Sequence, residues 1–163
     1  MSHLLGAQRW WLPLAVLVVV IDQATKLAAE RWLEAWHPLP VLPFLNLTLS
    51  YNPGAAFSLL GSASGWQRWL FVAAAVMISV VLVIWLRRLP PGERWLATGL
   101  ALLLGGAIGN LIDRLVHGHV IDFIHVYYAR WHYPIFNVAD SAITIAVVMI
   151  VIHTLWLDRS PSP

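Results

Sequence analysis

Two aspartates, Asp122 and Asp140, lie just outside long apolar stretches, each within a short run of polar and aromatic residues. A carboxylate at membrane depth costs at least about 2.5–3.5 kcal/mol at a helix centre, so such residues usually serve a function. Two carboxyl groups in one site can share a proton, so that one activates water while the other polarises a carbonyl group. We therefore interpret Asp122 and Asp140 as a candidate catalytic pair that titrates as a unit.

Other polar residues flank the apolar stretches and could complete such a site. They are Asp22, Lys26, Asn52, Asn110, Arg114 and Asn137. The topology predicted by the distribution of arginines brings all of them to the same end of the molecule as the two aspartates. That convergence favours one shared site over separate local roles.

Simpler structural explanations exist for several of these residues. Asp22 and Lys26 are one helical turn apart and could neutralise each other. Arg114 could extend to the lipid headgroups or pair with a neighbouring carboxylate. Asn137 and Asp140 have the spacing of a helix capping box. The capping pattern leaves Asp122 unexplained.

The composition indicates an integral membrane protein. Hydrophobic residues make up 60% of the 163 residues and charged residues 11%, and ten are tryptophan; the mean hydropathy is +0.72. The chain has no cysteine, which excludes disulfides, thiolate nucleophiles and cysteine-ligated metals. A net charge of +2 without a basic stripe argues against nucleic acid as a partner.

Four segments are long and apolar enough to cross about 30 Å of hydrocarbon. They comprise about residues 10–29, 66–86, 95–116 and 138–157. The expected fold class is an all-α membrane protein of four transmembrane helices, with a small extracytoplasmic β-strand cradle and a periplasmic loop or helix. We expect residues 1–163 to form a single domain, in which residues 30–65 and 117–137 are outer loops.

The distribution of arginines predicts the orientation. The short link at residues 87–94 holds three arginines, Arg9 precedes the first helix, and Arg159 follows the last. Positive residues favour the cytoplasmic side. Both termini should therefore be cytoplasmic, and the candidate site should lie at the outer face of the membrane.

The outer loops carry structure of their own. Residues 45–52 alternate apolar and polar side chains, which predicts a strand with one apolar face, and Asn52-Pro53-Gly54 predicts a turn after it. Tyrosines and tryptophan at residues 127–133 suit a membrane interface, where they could contact substrate or simply anchor the chain in membrane lipids.

Two other functional classes fit parts of this pattern. A small proton-coupled transporter also buries carboxylates, but its sites favour the bilayer midplane and repeated broken helices. A metallopeptidase is suggested by four histidines near Asp122, namely His117, His119, His125 and His132. No His-Glu-x-x-His motif accompanies them, so we expect neither metal nor cofactor.

Five motifs in order resemble those of the bacterial lipoprotein signal peptidases, also called type II signal peptidases. The motifs occupy residues 22–26 (DQATK), 51–57 (YNPGAAF), 106–114 (GAIGNLIDR), 120–123 (VIDF) and 136–140 (FNVAD). The resemblance extends along nearly the whole chain.

This resemblance implies a membrane aspartic endopeptidase with Asp122 and Asp140 as its catalytic residues. It implies further that a set of supporting residues shapes the site: Asn52, Gly54, Gly106, Asn110, Arg114, Asn137, Asp22 and Lys26. The family cleaves diacylglyceryl-modified prolipoproteins before the lipidated cysteine and is the target of globomycin-type inhibitors. One bundle would suffice for such a site, so we expect a monomer.

Overall fold

The four apolar segments form helices in the computed structural model, which describes residues 10–54 and 65–157. Helix α1 spans Trp11–Trp32, α2 Trp66–Arg88, α3 Arg94–Val116 and α4 Val138–Ile152, followed by a π-helical turn at His153–Leu157. All four are long and apolar enough to cross a membrane. The predicted four-helix membrane fold is confirmed. Arg9, Arg159 and residues 55–57 of the second motif lie outside the described residues.

Helix α3 lies at the centre of the bundle and contacts the other three helices. Small residues on two of its faces permit this. A Cβ atom added at Gly105 would lie 2.7 Å from the Val18 Cβ on α1, and one at Gly106 would lie 2.6 Å from the Ala139 carbonyl oxygen on α4. Such separations are too short for non-bonded atoms, so glycine sets how closely α1 and α4 approach α3.

A four-stranded antiparallel sheet covers one end of the bundle. Strand β1 spans Leu39–Leu42, β2 Leu45–Asn52, β3 Val120–Tyr128 and β4 Trp131–His132, in the order β1-β2-β3-β4. The strand predicted at residues 45–52 is confirmed as β2. Its apolar Leu49 packs with Ile121 and Phe123 of β3 and Ala29 of α1, which fixes the sheet to the bundle.

Strand β2 departs from the simple alternation that predicted it. A register shift separates Leu47 from Ser50 in its pairing with β3. The polar side chains of Asn46, Thr48 and Ser50 are buried as well, so β2 has buried side chains on both faces and not only on its apolar face. The shift also sets Ser50 directly opposite Asp122.

Candidate active site

The N-terminus of α4 combines a helix cap with a candidate catalytic group. The Asn137 Oδ1 accepts a hydrogen bond from the Asp140 backbone N–H at 2.9 Å, and the Asp140 Oδ2 accepts one from the Asn137 N–H at 3.3 Å. This is the predicted capping box. It leaves the Asn137 amide group and the second Asp140 oxygen free for other contacts, so the capping role and a role in the site coexist.

Asp122 reaches the same place from β3. Its Oδ1 accepts a hydrogen bond from the Asn137 Nδ2 at 2.7 Å, and its Oδ2 accepts one from the Asn52 Nδ2 at 3.3 Å. The side chain is only 2% exposed. Asn137 thus contacts both carboxyl groups, which come from separate segments of the chain.

Three asparagine side chains direct their N–H groups at this carboxyl pair, and each is held by a donor on its oxygen. The Asn137 oxygen accepts from the α4 backbone, the Asn52 oxygen from the Gly54 N–H at 3.0 Å, and the Asn110 oxygen from the Lys26 ammonium at 3.0 Å. With its oxygen so occupied, Asn110 donates through Nδ2 to the Asp140 Oδ1 at 2.8 Å. The amides are therefore fixed as donors to the pair.

A buried ionic cluster supports Asn110 from behind. The Lys26 Nζ lies 2.8 Å from Asp22 and 2.8 Å from Asp113, and all three side chains are at most 1% exposed. Asp22 also accepts a hydrogen bond from the Ala139 N–H at 2.8 Å. The predicted Asp22–Lys26 pair is present, but it belongs to a cluster that joins α1, α3 and α4.

The candidate site predicted from the sequence lacks two residues of this region, Asp113 of the cluster and Gln23, which contacts it. The Asp113 carboxylate accepts hydrogen bonds from the Ile121 N–H at 3.1 Å and from the Gln23 Nε2 at 2.8 Å. Asp113 thereby links α3 to Ile121 of β3, the residue directly before Asp122. Gln23 and Asp113 lie in the first and third motifs, within one helical turn of residues assigned to the site. Their place in these motifs was the signal that could have identified them.

Arg114 occupies the wall of the site rather than extending away from it. Its guanidinium donates to the Asn110 carbonyl oxygen at 3.2 Å and to the Gly54 carbonyl oxygen at 3.1 Å. It also lies 5.3 Å from the centre of the Phe71 ring. The alternative pairing with Asp113 is wrong, because the Asp113 carboxylate is directed at Lys26 and Gln23. Arg114 instead connects α3 to the turn after β2.

The carboxyl pair lies in a cavity of about 440 Å³ whose lining includes Asn52, Asn110 and Arg114. This volume is in the range of small-ligand sites. Burial, together with the nearby charge of Asp140, raises the pKa of Asp122 to about 7. A site of this kind can hold one proton on the pair near neutral pH, which is the state that acid–base hydrolysis of a carbonyl compound requires.

The two predicted glycines support the residues of the cavity in different ways. Gly106 allows contact with Ala139 in the first turn of α4, and so with the turn that carries Asp140. Gly54 is buried and supplies both the N–H that holds Asn52 and the oxygen that holds Arg114. Five of the ten predicted site residues line the cavity, and the other five contact these residues, the first turn of α4 or the ionic cluster.

The four histidines considered for a metal site form two pairs, His117 with His119 and His125 with His132. His125 and His132 share a hydrogen bond between ring nitrogens at 3.0 Å, whereas His119 packs edge-on against Tyr51. Within residues 10–54 and 65–157, no three His, Asp or Glu side chains converge as metal ligands would. Burial lowers the pKa of His119 and of His125, in keeping with neutral rings.

Solved structures with the same fold give the class of protein. A bacterial membrane enzyme determined by the in meso method at 2.3 Å resolution superposes with a TM-score of 0.82 and 33% identity, covering 94% of this chain and 93% of the other. A second such enzyme, at 1.9 Å resolution, gives a TM-score of 0.78 and 35% identity, covering 90% and 92%. The chain has the fold of a bacterial integral membrane enzyme.

Sequence comparison gives the family. The family described as Signal peptidase (SPase) II matches residues 14–156. A lipoprotein signal peptidase of Pseudomonas putida is 54% identical over 94% of this chain and 91% of its own length, and that of Acinetobacter baylyi is 50% identical over 91% and 83%. This chain belongs to the signal peptidase II family. It is a peptidase and a multi-pass protein of the bacterial inner membrane, which sets the transporter alternative aside.

Proposed function

We propose that this protein removes signal peptides from diacylglyceryl-modified prolipoproteins, cleaving on the N-terminal side of the lipidated cysteine, with Asp122 and Asp140 as the catalytic residues. One observation supports the assignment above the others. The carboxyl groups of Asp122 and Asp140 come from separate segments, line one cavity of about 440 Å³, and both accept hydrogen bonds from Asn137. Family membership supplies the substrate class, and the geometry supplies the reacting groups.

In the proposed reaction Asp140 is the general base and Asp122 the general acid. Asp140 lies in the first turn of α4, where the positive end of the helix dipole favours a negative charge. Asp122 keeps a proton near neutral pH because its pKa is raised to about 7. Asp140 takes a proton from water as the water oxygen attacks the scissile carbonyl carbon, while Asp122 transfers its proton to the carbonyl oxygen, so that a gem-diol intermediate forms.

The tetrahedral intermediate then collapses and the peptide C–N bond breaks. The proton held by Asp140 passes to the leaving amine nitrogen, and Asp122 recovers its proton as the carboxylic acid product forms. Throughout, Asn52, Asn110 and Asn137 keep the two carboxyl groups in place by donating N–H groups to them. Preorganised donors of this kind need no rearrangement during the reaction.

The supporting residues divide into two sets in this proposal. Arg114 lines the substrate cavity, and the Gly54 carbonyl oxygen holds its guanidinium in place. Asp22 and Lys26 act at one remove, by fixing Asn110 and the first turn of α4, while Gly106 lets that turn approach α3.

The location of the cavity suits the substrate. Asp122 is on β3, beyond the end of α3, and Asp140 is in the first turn of α4, so the pair sits at one end of the bundle rather than at its middle. We propose that this end lies at the periplasmic surface of the inner membrane. There a diacylglyceryl group would hold the cysteine at headgroup level while the signal peptide spans the bilayer. Globomycin-type inhibitors would occupy the same cavity.

The test is cleavage of a purified diacylglyceryl-modified prolipoprotein by the native enzyme, Asp122→Asn and Asp140→Asn. Both variants should lose at least about a thousandfold in kcat/KM, because each removes one half of the proton exchange. Glu34→Gln is a matched control, since that carboxylate is 78% exposed and pairs only with His37 among the contacts described. Near-native cleavage by either aspartate variant, with thermal unfolding showing a folded protein, would refute the assignment.

A further inference from the structure

Trp36, in the connection between α1 and β1, has an unusual backbone conformation. Its φ is +66°, in the left-handed region; among the non-glycine residues of the described ranges, only Ala129 shares this property. A bulky aromatic residue is rare in this region because its Cβ crowds the backbone. The conformation persists only where surrounding contacts impose it, and such residues concentrate at functional sites.

The contacts that impose it come from β2. The Trp36 N–H donates to the Leu49 carbonyl oxygen at 2.9 Å, and the preceding residue, Ala35, forms a β-bridge with Leu49. Leu49 is itself buried in the cluster that fixes the sheet to α1. The backbone at residue 36 is thus held against β2, which fixes the point from which the indole side chain projects.

The strained conformation does not serve packing of the protein core. The Trp36 side chain is 62% exposed, whereas the neighbouring Leu33 and Ala35 pack against the buried cluster. The ring instead lines the cavity that contains Asp122 and Asp140. The fold therefore holds a large, exposed aromatic ring at the rim of the candidate active site.

We infer that Trp36 is a specificity-determining residue that contacts an apolar part of the substrate beside the scissile bond. This inference rests on the proposed function. Tyr133, Phe136 and Ile143 line the same cavity, so an apolar group that enters it meets aromatic and aliphatic side chains on several sides. An indole ring suits this position because it combines a large apolar face with tolerance of the membrane interface. The apolar group is either an acyl chain of the lipidated cysteine or an apolar side chain of the peptide.

Anchoring in the membrane interface is the competing explanation for an exposed tryptophan. Trp32, at the end of α1, provides the comparison: it is 77% exposed and is absent from the cavity lining. If exposed tryptophans here act only as anchors, Trp32→Ala and substitutions of Trp36 should affect the enzyme alike. If Trp36 contacts substrate, substitutions that remove its ring should raise KM and Trp32→Ala should not.

Trp36→Gly separates the ring from the backbone strain. Glycine adopts positive φ without penalty, so the thermal unfolding temperature should stay level or rise. Removal of the contact should raise KM about tenfold with kcat nearly unchanged, as expected for loss of a binding contact made equally in ground and transition states. Trp36→Phe should keep KM within about threefold of native. Trp36→Asn, which also tolerates this backbone, provides a second ring-free variant if the glycine variant folds poorly.

Substrate series identify the apolar group. One series shortens the two acyl chains, and the other replaces apolar residues next to the lipidated cysteine by serine. In the native enzyme, KM should rise progressively along the series that alters the group contacted by Trp36. In Trp36→Gly, KM should change much less along the same series. Native-like KM in both ring-free variants, or an equal rise in Trp32→Ala, would overturn the inference. Asp122→Asn, assayed in parallel, tests the proposed function separately. If Asp122→Asn is inactive while the Trp36 variants behave like the native enzyme, the role of Trp36 is rejected and the proposed function stands.

Discussion

Asp122 occupies a position that favours its protonated form. As a consequence, the protein should become less stable to unfolding as pH rises. Burial and the charge of Asp140 raise its pKa to about 7, far above the ordinary value of 3.8. The folded state therefore binds more protons than the unfolded state between about pH 4 and pH 7. Across that window the contribution of this group to the free energy of unfolding falls as pH rises.

Asp122→Asn should consequently lose less thermal stability than the native protein between pH 4 and pH 8, because the variant has no carboxyl group that ionises at this position. The two changes should differ by about 2–4 °C for each kcal/mol of the native pH dependence. The amide N–H2 of the variant also faces an asparagine donor, but that cost is the same at both pH values. Thermal unfolding of both proteins in detergent at the two pH values measures the changes. A variant that loses as much stability as the native protein from pH 4 to pH 8 would contradict this account of Asp122.

The same raised pKa predicts the pH dependence of cleavage. The proposed reaction needs one proton on the carboxyl pair, and Asp122 loses its proton as pH rises through about 7. We expect kcat/KM to fall tenfold per pH unit well above that value. Rates measured from pH 5.5 to 9 on one lipidated substrate test this, with enzyme integrity checked at each pH. A rate that stays flat to pH 9 would show that the pair keeps its proton.

The chemistry of individual residues was more predictable than their connections. Asp22, Asn110 and Asp140 stood out because polar residues at the ends of apolar segments require an explanation. Their partners were not predictable. From the sequence alone, Asp113 could form an ion pair with the adjacent Arg114 or with the distant Lys26. Only the packing of α1 against α3 decides that Asp113 faces Lys26.

At the scale of elements, the Lys26 cluster joins α1 to α3. Lys26→Met would leave the buried carboxylates of Asp22 and Asp113 without their cation, and breaking a buried ion pair in this way costs about 3–5 kcal/mol. We expect a large loss of thermal stability and of activity. Adding Asp113→Asn should recover part of that stability, because it removes one of the two uncompensated charges. A double variant that is less stable than Lys26→Met alone would contradict this electrostatic explanation.

The approach of α4 to α3 sets the distance between Asp140 and Asn110. A Cβ at Gly106 would lie 2.6 Å from the Ala139 carbonyl oxygen and 2.7 Å from the Ile143 Cγ1, so Gly106→Ala should push the first turn of α4 away. We expect at least about a hundredfold loss of kcat/KM, since misplacement of a reacting group by about 1 Å has effects of that order.

Gly99 provides the matched control for this helix contact. It faces the same helix nearer its other end, where an added Cβ would lie 3.3 Å from Met149 and Ile150 side-chain atoms. Those side chains need to move only slightly, so Gly99→Ala should cleave substrate within about threefold of native. Equal losses in Gly99→Ala and Gly106→Ala would indicate general damage to the bundle rather than displacement of Asp140.

The elements themselves were predictable to different extents. The helices follow from long apolar segments, and β2 follows from its alternating pattern. Strands β1, β3 and β4 were not predicted, because short apolar runs such as Leu39–Leu42 carry no clear period and depend on pairing with β2 for their structure. The register that places Asp122 opposite Ser50 depends on an irregularity in β2 that no local pattern reveals.

For the whole molecule, the orientation in the membrane remains a prediction from charge. Arg87, Arg88 and Arg94 flank the turn between α2 and α3, at the opposite end of these helices from the sheet and the carboxyl pair. Positive residues in a short loop favour the cytoplasmic side. If that rule holds here, the cavity faces the periplasm, where a lipidated substrate would present its scissile bond.

Single cysteines test this orientation cleanly, because the chain has none of its own. Pro91→Cys would place a thiol in the turn between α2 and α3, and Pro38→Cys one beside β1; both positions are exposed. In intact spheroplasts a membrane-impermeant maleimide should label Pro38→Cys and not Pro91→Cys, while lysis should make both reactive. Labelling of Pro91→Cys alone before lysis would invert the topology and put the carboxyl pair in the cytoplasm, away from the face at which an exported prolipoprotein exposes its lipidated cysteine.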